Sequence, residues 1–258
     1  MLARGLPCRP VRPGVCSNVM RLTFAPLVLA LAVPVAAEEL FIPMVAQKQG
    51  LDGAWWNTEV WVSNTGSTTG GYAAVFLPGG QPNLEALRSD PALEDLPPGA
   101  TAYRNDLVPE GSVGVLRFVT TPGVVVFTRV YNAAGRGSFG QGIPALPKSA
   151  AVRQGDIGQL LGLRRTPQFR TNISLFNPSQ DHGVVRVRLL TQRGEVVADE
   201  SYRLSAGGYI QLDDAHHALG VSRGEHLRAE VSGTVPFFAF ASVIDARSGA
   251  PTLVPVLR

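Results

Sequence analysis

Residues Phe169 to Leu190 read FRTNISLFNPSQDHGVVRVRLL, and residues Trp56 to Leu77 read WNTEVWVSNTGSTTGGYAAVFL. Laid on each other without a gap, they place Thr171 on Thr58, Ile173 on Val60, Leu175 on Val62, Asn177 on Asn64 and Leu189 on Phe76, a constant shift of 113 positions. A match sustained at one period reads as an internal duplication. Up to the Asn, apolar residues and Thr alternate with polar ones, which is the period of a half-buried strand. Asn64-Thr-Gly and Asn177-Pro-Ser then reverse the chain, because Asn bonds its own backbone and Gly or Pro takes the special dihedrals. A second strand starts near Tyr72 and Val185, so each stretch reads as a β-hairpin.

The correspondence continues beyond the hairpins. Leu96-Pro-Pro-Gly99 answers Leu204-Ser-Ala-Gly207, and Ala100 to Asp106 answers Gly208 to Asp214, now at a shift of 108. The change of shift is an insertion in the first copy within Gly79 to Asp95, where Leu84 to Arg88 reads as one helical turn. The second copy crosses the same gap with the strand-like Val196 to Leu204. Val115 to Asn132 then answers Arg228 to Asp245, back at a shift of 113. Each copy closes on an apolar-Pro-x-apolar element, Ile143-Pro-Ala-Leu146 and Val254-Pro-Val-Leu257, and Phe41-Ile-Pro-Met44 opens the first. Proline has no N–H for a central strand to donate, so these elements belong at sheet edges or bulges. About seven short strands per copy with turn signals between them predict an all-β fold of two tandem immunoglobulin-like antiparallel β-sandwich domains.

The sequence also resembles a known group. The Ile42-Pro43 start, the [FW]-x-T-x-[IV]-x-[LV]-x-N strand, the Leu96-Pro-Pro-Gly99 turn and the Val130-Tyr-Asn to Gly140-Gln-Gly-Ile-Pro-Ala145 close are similar to tandem immunoglobulin-like repeats of exported bacterial proteins of unassigned function. The resemblance covers nearly all of Glu38 to Arg258, and the second copy departs from it at Ile244-Asp245 and Thr252-Leu253. It implies an extracytoplasmic, non-catalytic β module and carries over no functional residue. The Cys…Trp…Cys pin of antibody domains is missing.

Residues 1–37 have the anatomy of an export signal, with translation starting at Met1 or at Met20. Arg21 supplies the positive start, Leu22 to Val35 is a short apolar run broken by Pro26 and Pro34, and Val35-Ala36-Ala37 offers small residues for cleavage before Glu38. The run is shorter than the roughly 20 residues of a bilayer-spanning helix. No transmembrane segment is therefore expected in the mature chain, which is placed in the periplasm, at the cell surface or outside the cell. The formal charge of +3 includes Arg4, Arg9, Arg12 and Arg21, so without them it is −1, and a general basic field for nucleic acid is not supported. Cys8 and Cys16, both in the leader, are the only cysteines, so the mature chain must hold together by core burial. Domain boundaries are read at 38–147 and 148–258, with the joint between Pro147 and Asp156. The 28 Gly and 20 Pro, with 17% charged residues, fit short strands and tight turns.

Catalytic motifs are missing: there is no GxSxG elbow, no HExxH and no phosphate-binding loop leading into a helix. All 4 histidines, His182, His216, His217 and His226, lie in the second copy, so the scaffold itself does not require them. Asp213, Asp214, His216 and His217 crowd four metal-ligand types into one segment. The competing reading is a helix start, in which Asp213 or Asp214 caps a short helix that runs to Leu219 and is closed by Gly220. The capping reading is the stronger, so no metal and no cofactor are expected. Glu59, Asp106, Asp213 and Glu230 supply carboxylates for a glycosidase pair, as any sandwich of this size does.

Among the aromatics, Trp61 points outward if Thr58, Val60 and Val62 face the core, and Trp55 sits at the same strand's entry. Their counterparts in the second copy are Ser174 and Gln168. Either the pair binds a ligand, or the Gly79 to Asp95 insertion covers Trp61, which is the expectation. Val124 to Phe127 and Phe237 to Phe240 are apolar on both faces, which calls for a cover on each side. The leading functional expectation is an interaction or structural module that binds protein or an extracellular polymer through sheet edges and loops. A carbohydrate-binding module using Trp55 and Trp61 is second, and a hydrolase third.

Overall fold

The computed structural model describes residues 37–134 and 137–258, so the leader reading on residues 1–36 lies outside the described residues. In the N-terminal half the strands are β1 (Glu38–Gln49), β2 (Trp55–Asn64), β3 (Gly70–Pro78), β4 (Glu94–Leu96), β5 (Thr101–Arg104), β6 (Ser112–Thr120), β7 (Val124–Ala134), β8 (Gly137–Pro144) and β9 (Leu146–Pro147), with helix α1 (Leu84–Arg88) after β3. In the C-terminal half they are β10 (Ile157–Arg165), β11 (Phe169–Phe176), β12 (Gly183–Leu190), β13 (Val196–Leu204), β14 (Tyr209–Leu212), β15 (Gly224–Gly233), β16 (Phe238–Asp245) and β17 (Pro251–Pro255), with α2 (Ala215–Ala218) after β14. The fold is all-β, and the strand pairs are antiparallel. No helix among the described residues is long and apolar enough to cross a membrane.

The two halves pair their strands alike. The C-terminal half has one sheet ordered β10-β15-β12-β13 and another ordered β14-β11-β16-β17. The N-terminal half runs β4-β3-β6-β1-β2-β7-β8 with β5 on the free side of β2, because the end of the long β1 pairs Lys48 and Gln49 with Trp56 and Trp55 and so joins its two sheets. Thr58 faces Val130 where Thr171 faces Val243, and Tyr72 faces Thr120 where Val185 faces Gly233. The bulge between Ile42 and Val45 in β1 recurs between Leu160 and Leu163 in β10. Pro43 lies in the first bulge, while Pro144 and Pro255 end the edge strands β8 and β17, which is where a missing N–H costs least.

The residues common to both halves have matching work. Thr58 Oγ1 accepts from the Ala46 N–H at 3.0 Å and donates to the Ala46 carbonyl at 2.8 Å, and Thr171 does the same to Arg164. Each hydroxyl bonds both backbone groups of one residue on the neighbouring strand, next to the bulge in that strand. Buried Asn64 donates to the Thr68 and Leu96 carbonyls and accepts from the Gly66 N–H. Asn177 donates to Asp181 and Ser205 and accepts from Ser179. A buried amide is tolerated here because both its ends are bonded.

Among the described residues three apolar clusters make up the core. One lies between the two N-terminal sheets, with Ile42, Val45, Val60, Val62, Leu116, Phe118 and Val130. Another lies between the two C-terminal sheets, with Leu160, Leu163, Ile173, Leu175, Val187, Val231 and Phe237. The third is shared by both halves: Phe41, Leu77, Val115 and Leu87 from the first meet Phe176, Tyr209, Phe238 and Phe240 from the second. Strand alternation explains the sharing, because Ile173 and Leu175 point into their own sandwich while Ser174 and Phe176 point out of it. Thus the outward face of β14-β11-β16-β17 is covered by the outward face of β4-β3-β6-β1. The Phe41 ring lies 5.3 Å from Phe176 and 6.1 Å from Phe238. This is the second cover that Phe238 and Phe240 need.

The insertion does not cover Trp61, contrary to the expectation from sequence. It follows β3, which lies in the opposite sheet, and α1 is held on that sheet's outer face by the buried Arg117. The Arg117 guanidinium donates to the Ala86 and Ser89 carbonyls and to Glu39 Oε1. From there the insertion reaches the second half: the Asn83 N–H donates to the Ala206 carbonyl at 2.9 Å, and Asn83 Nδ2 to the Gly207 carbonyl at 2.8 Å. Gly207 has φ +62, and a Cβ there would meet Asn83 and Leu87 at 3.0 Å, so the contact needs glycine both for conformation and for room.

A candidate docking face

Strands β5, β2, β7 and β8 turn their second face outward from the N-terminal half. On β2 the residues Trp55, Asn57, Glu59, Trp61 and Ser63 alternate with the buried Thr58, Val60 and Val62. Register places Tyr103 on one side of Trp61 and Phe127 on the other. The ring centroids are 5.5 Å apart for Trp61–Tyr103 and 5.7 Å for Trp61–Phe127, with the planes tilted by 52° and 38°. Trp61 is half-buried by these neighbours, while Tyr103, Val125 and Phe127 are 50%, 51% and 54% exposed. The Phe127 ring lies over Gly142 of β8, where a Cβ would sit 3.1 Å from it, so the small residue leaves the ring its place.

A charged row borders the aromatic one. Glu59 faces Arg129 across the strands, with Arg129 Nη1 3.5 Å from Glu59 Oε2, and the Tyr103 hydroxyl donates to Glu59 Oε1 at 3.2 Å. The Arg129 guanidinium stands 4.5 Å over the Tyr131 ring. Partial burial, then the Glu59 carboxylate, holds the Tyr131 phenol above its ordinary range. The face therefore carries one acid and one base beside a contiguous apolar patch, the kind of surface that marks an interaction site. Trp55, 37% exposed, lies on the same side but six residues along the strand, about 20 Å away, and the Trp61 cluster does not include it.

The other candidates lie elsewhere. Asp213 Oδ1 accepts from Asn172 Nδ2 at 3.1 Å and Gln211 Nε2 at 2.6 Å. Asp214 takes a left-handed conformation, φ 44, and gives both its oxygens to Arg165 Nε at 2.9 Å. Neither carboxylate caps α2, so the capping reading is corrected: Asp214 starts the helix with no side-chain cap bond because Arg165 draws its carboxylate away. Gly220 closes the helix, its N–H donating to the His217 carbonyl. His216 is fully buried, with neither ring nitrogen bonded among the described residues, and burial pushes its pKa down to about 4. His217 is exposed. Among the described residues no three His, Cys, Asp or Glu side chains gather as metal ligands. Of the carboxylates weighed for glycoside hydrolysis, Glu59 on β2 and Glu230 on β15 belong to different sheets, Asp213 lies in the turn after β14, and Asp106 is engaged by Arg104 at 2.8 Å. The guanidinium of Arg228, followed by that of Arg188, holds the Glu230 carboxyl below its usual range.

Tyr103, Phe127 and Arg129 are the members of the face that sequence reasoning did not assign to it. Phe127 signalled itself as part of a strand apolar on both sides, whereas Tyr103 lies on a four-residue strand too short to show a period. Neither a family model nor a curated protein matches the chain in sequence.

Proposed function

We propose that the chain is an exported, non-catalytic interaction module of two tandem immunoglobulin-like sandwiches, and that it docks through the outward face of β5-β2-β7-β8. The observation that carries this reading is the fate of the corresponding face in the C-terminal half. There the outward side of β14-β11-β16-β17 is an interface, with Phe176, Phe238 and Phe240 covered by Phe41, Leu77 and Val115. In the N-terminal half the same side keeps Trp61, Phe127, Tyr103 and Val125 and has no cover among the described residues.

The occupant we assign is the same face of a second copy. Glu59 and Arg129, already paired at 3.5 Å, let the face be self-complementary, since a two-fold axis passing between them sets each acid against the other copy's base. The outer face of β10-β15-β12-β13 is a poor match for an apolar patch, because it is laced with the ion pairs Arg188–Glu230 at 2.9 Å and Arg228–Glu230 at 2.7 Å. A sugar platform using Trp55 and Trp61 fits less well, because the two stand six residues apart along one strand, about 20 Å, and the rings beside Trp61, those of Tyr103 and Phe127, are tilted from it by 52° and 38° and so offer no common plane to a pyranose. Sedimentation velocity across a concentration series tests the reading. The wild type should dimerise and Phe127→Asp should remain a folded monomer. A monomeric wild type that binds polysaccharide in a Trp61-dependent way would transfer the face to the carbohydrate reading.

A further inference from the structure

Where the halves meet, away from the docking face, there is a cavity of about 230 Å³ whose lining is half apolar and half polar. Met44, Trp56 and Val130 from the first half and Ile244 from the second make up much of the apolar part. The polar part holds charges of both signs, Lys48 and Arg170 against Asp213. Lys48 is half-buried and has no ion-pair partner among the described residues. A ligand that suits this lining needs an apolar body and a charge of each sign.

Asp213 is exposed, yet its carboxylate is fixed. Asn172 Nδ2 and Gln211 Nε2 both donate to its Oδ1, at 3.1 Å and 2.6 Å. Each amide is itself anchored: Asn172 Oδ1 accepts from the Asp214 N–H at 3.0 Å, and Gln211 Oε1 accepts from the hydroxyl of the buried Tyr209 at 2.8 Å. Asn172 and Gln211 line the cavity as well. An exposed side chain held in this way gives up rotamer freedom that solvent would leave it, which packing alone does not ask for. With two anchored donors on Oδ1, the second oxygen, Oδ2, keeps no partner among the described residues. A carboxylate whose position is set by a supporting shell, with one oxygen open, is prepared for a cation.

We infer that this cavity binds a free amino acid with an apolar side chain, of the size of leucine. The α-ammonium pairs with Asp213, the α-carboxylate with Lys48, and the side chain packs against Met44, Trp56, Val130 and Ile244. Arg170 adds to the field that favours the carboxylate. An acid without the ammonium leaves Asp213 Oδ2 unpaired, and an amine without the carboxylate meets Lys48 with a like charge, so both are discriminated against. The volume lies below the roughly 300–1,000 Å³ of sites for drug-sized molecules, which suits a single residue and not a longer peptide.

Calorimetric titration of the intact chain with leucine, isocaproate and isopentylamine tests the inference, since the last two are leucine without its ammonium and without its carboxylate. Saturable binding of leucine is expected, with each analogue weaker by about tenfold or more. Asp213→Asn keeps an oxygen for the two amides but removes the charge, so it should weaken leucine by about tenfold and leave isocaproate no weaker. Lys48→Met keeps the apolar stem, and it should weaken leucine while leaving isopentylamine no weaker. It stands as a separate test if Asp213→Asn does not fold. Absence of saturable leucine binding would overturn the inference. So would equal affinity for leucine and both analogues, or leucine binding that either folded variant leaves unchanged.

Discussion

Phe127 and Phe240 hold the same register position in the two halves, facing Trp61 and Ser174 respectively, yet Phe127 is 54% exposed and Phe240 only 3%. The difference lies in what stands opposite. Phe240 has the other half's sheet over it, and Phe127 does not. Substitution should expose the contrast. Phe240→Ala removes a buried ring from the shared cluster and should cost about 3–5 kcal/mol, whereas Phe127→Ala should stay within roughly 0.5 kcal/mol of wild type at concentrations where the chain is monomeric. Urea midpoints of the two variants check this.

The bulge threonines make a second case. Thr58→Val keeps the shape of the side chain but leaves the Ala46 N–H and carbonyl without their partner, and Thr171→Val does the same at Arg164. Each should cost about 1–3 kcal/mol in denaturant unfolding. Thr101→Val, at an exposed hydroxyl paired with Ser63, should be close to neutral.

Glycines at corresponding turns should differ in the same experiment. Gly99 and Gly207 both take positive φ, +71 and +62, but a Cβ at Gly99 meets nothing within 4 Å while one at Gly207 meets Asn83 and Leu87. Gly99→Ala should cost about 1–2 kcal/mol, the left-handed penalty alone. Gly207→Ala should cost measurably more and loosen the contact between the insertion and the second half.

His216 supplies a pH dependence. Its folded pKa, about 4, lies below the ordinary 6.5, so between these values the unfolded chain binds a proton that the folded chain does not. Stability present above pH 6.5 should therefore fall as pH drops toward 4, by up to roughly 3 kcal/mol from this group. Asp214 pulls the value up and Arg165 pushes it down, both less than burial does. Val108 is the corresponding residue of the first half and is buried as well. His216→Val should accordingly flatten the acid limb of the stability profile and leave the neutral plateau at or above that of wild type.

The parts of the fold legible in the sequence are those for which both halves use one device. Thr58 with Thr171 and Asn64 with Asn177 bond backbone groups close in the pairing scheme, so the spacing of the residues carried the geometry. The role of the insertion was not legible, because Asn83 finds its partner at Gly207, 124 residues away, and no local pattern records that distance. The absence of a side-chain cap on α2 is not legible for a similar reason. Asp214 has the residue type of a cap, but Arg165, 49 positions earlier, competes for its carboxylate. At the candidate face, Trp61 was legible as outward from strand alternation alone. Its exposure depended on which sheet the insertion joined, and Tyr103 became its neighbour only through the pairing of β5 with β2.

If a second copy covers the Trp61, Tyr103 and Phe127 face in solution, the three rings lose their solvent access together. Hydroxyl-radical footprinting of the three side chains across a dilution series tests it most directly, since aromatic rings report their own solvent access. Oxidation of Trp61, Tyr103 and Phe127 should be suppressed at high concentration and rise together on dilution, while that of Phe139, 39% exposed on the edge strand β8, should change less. Oxidation of all three rings that is independent of concentration would contradict it.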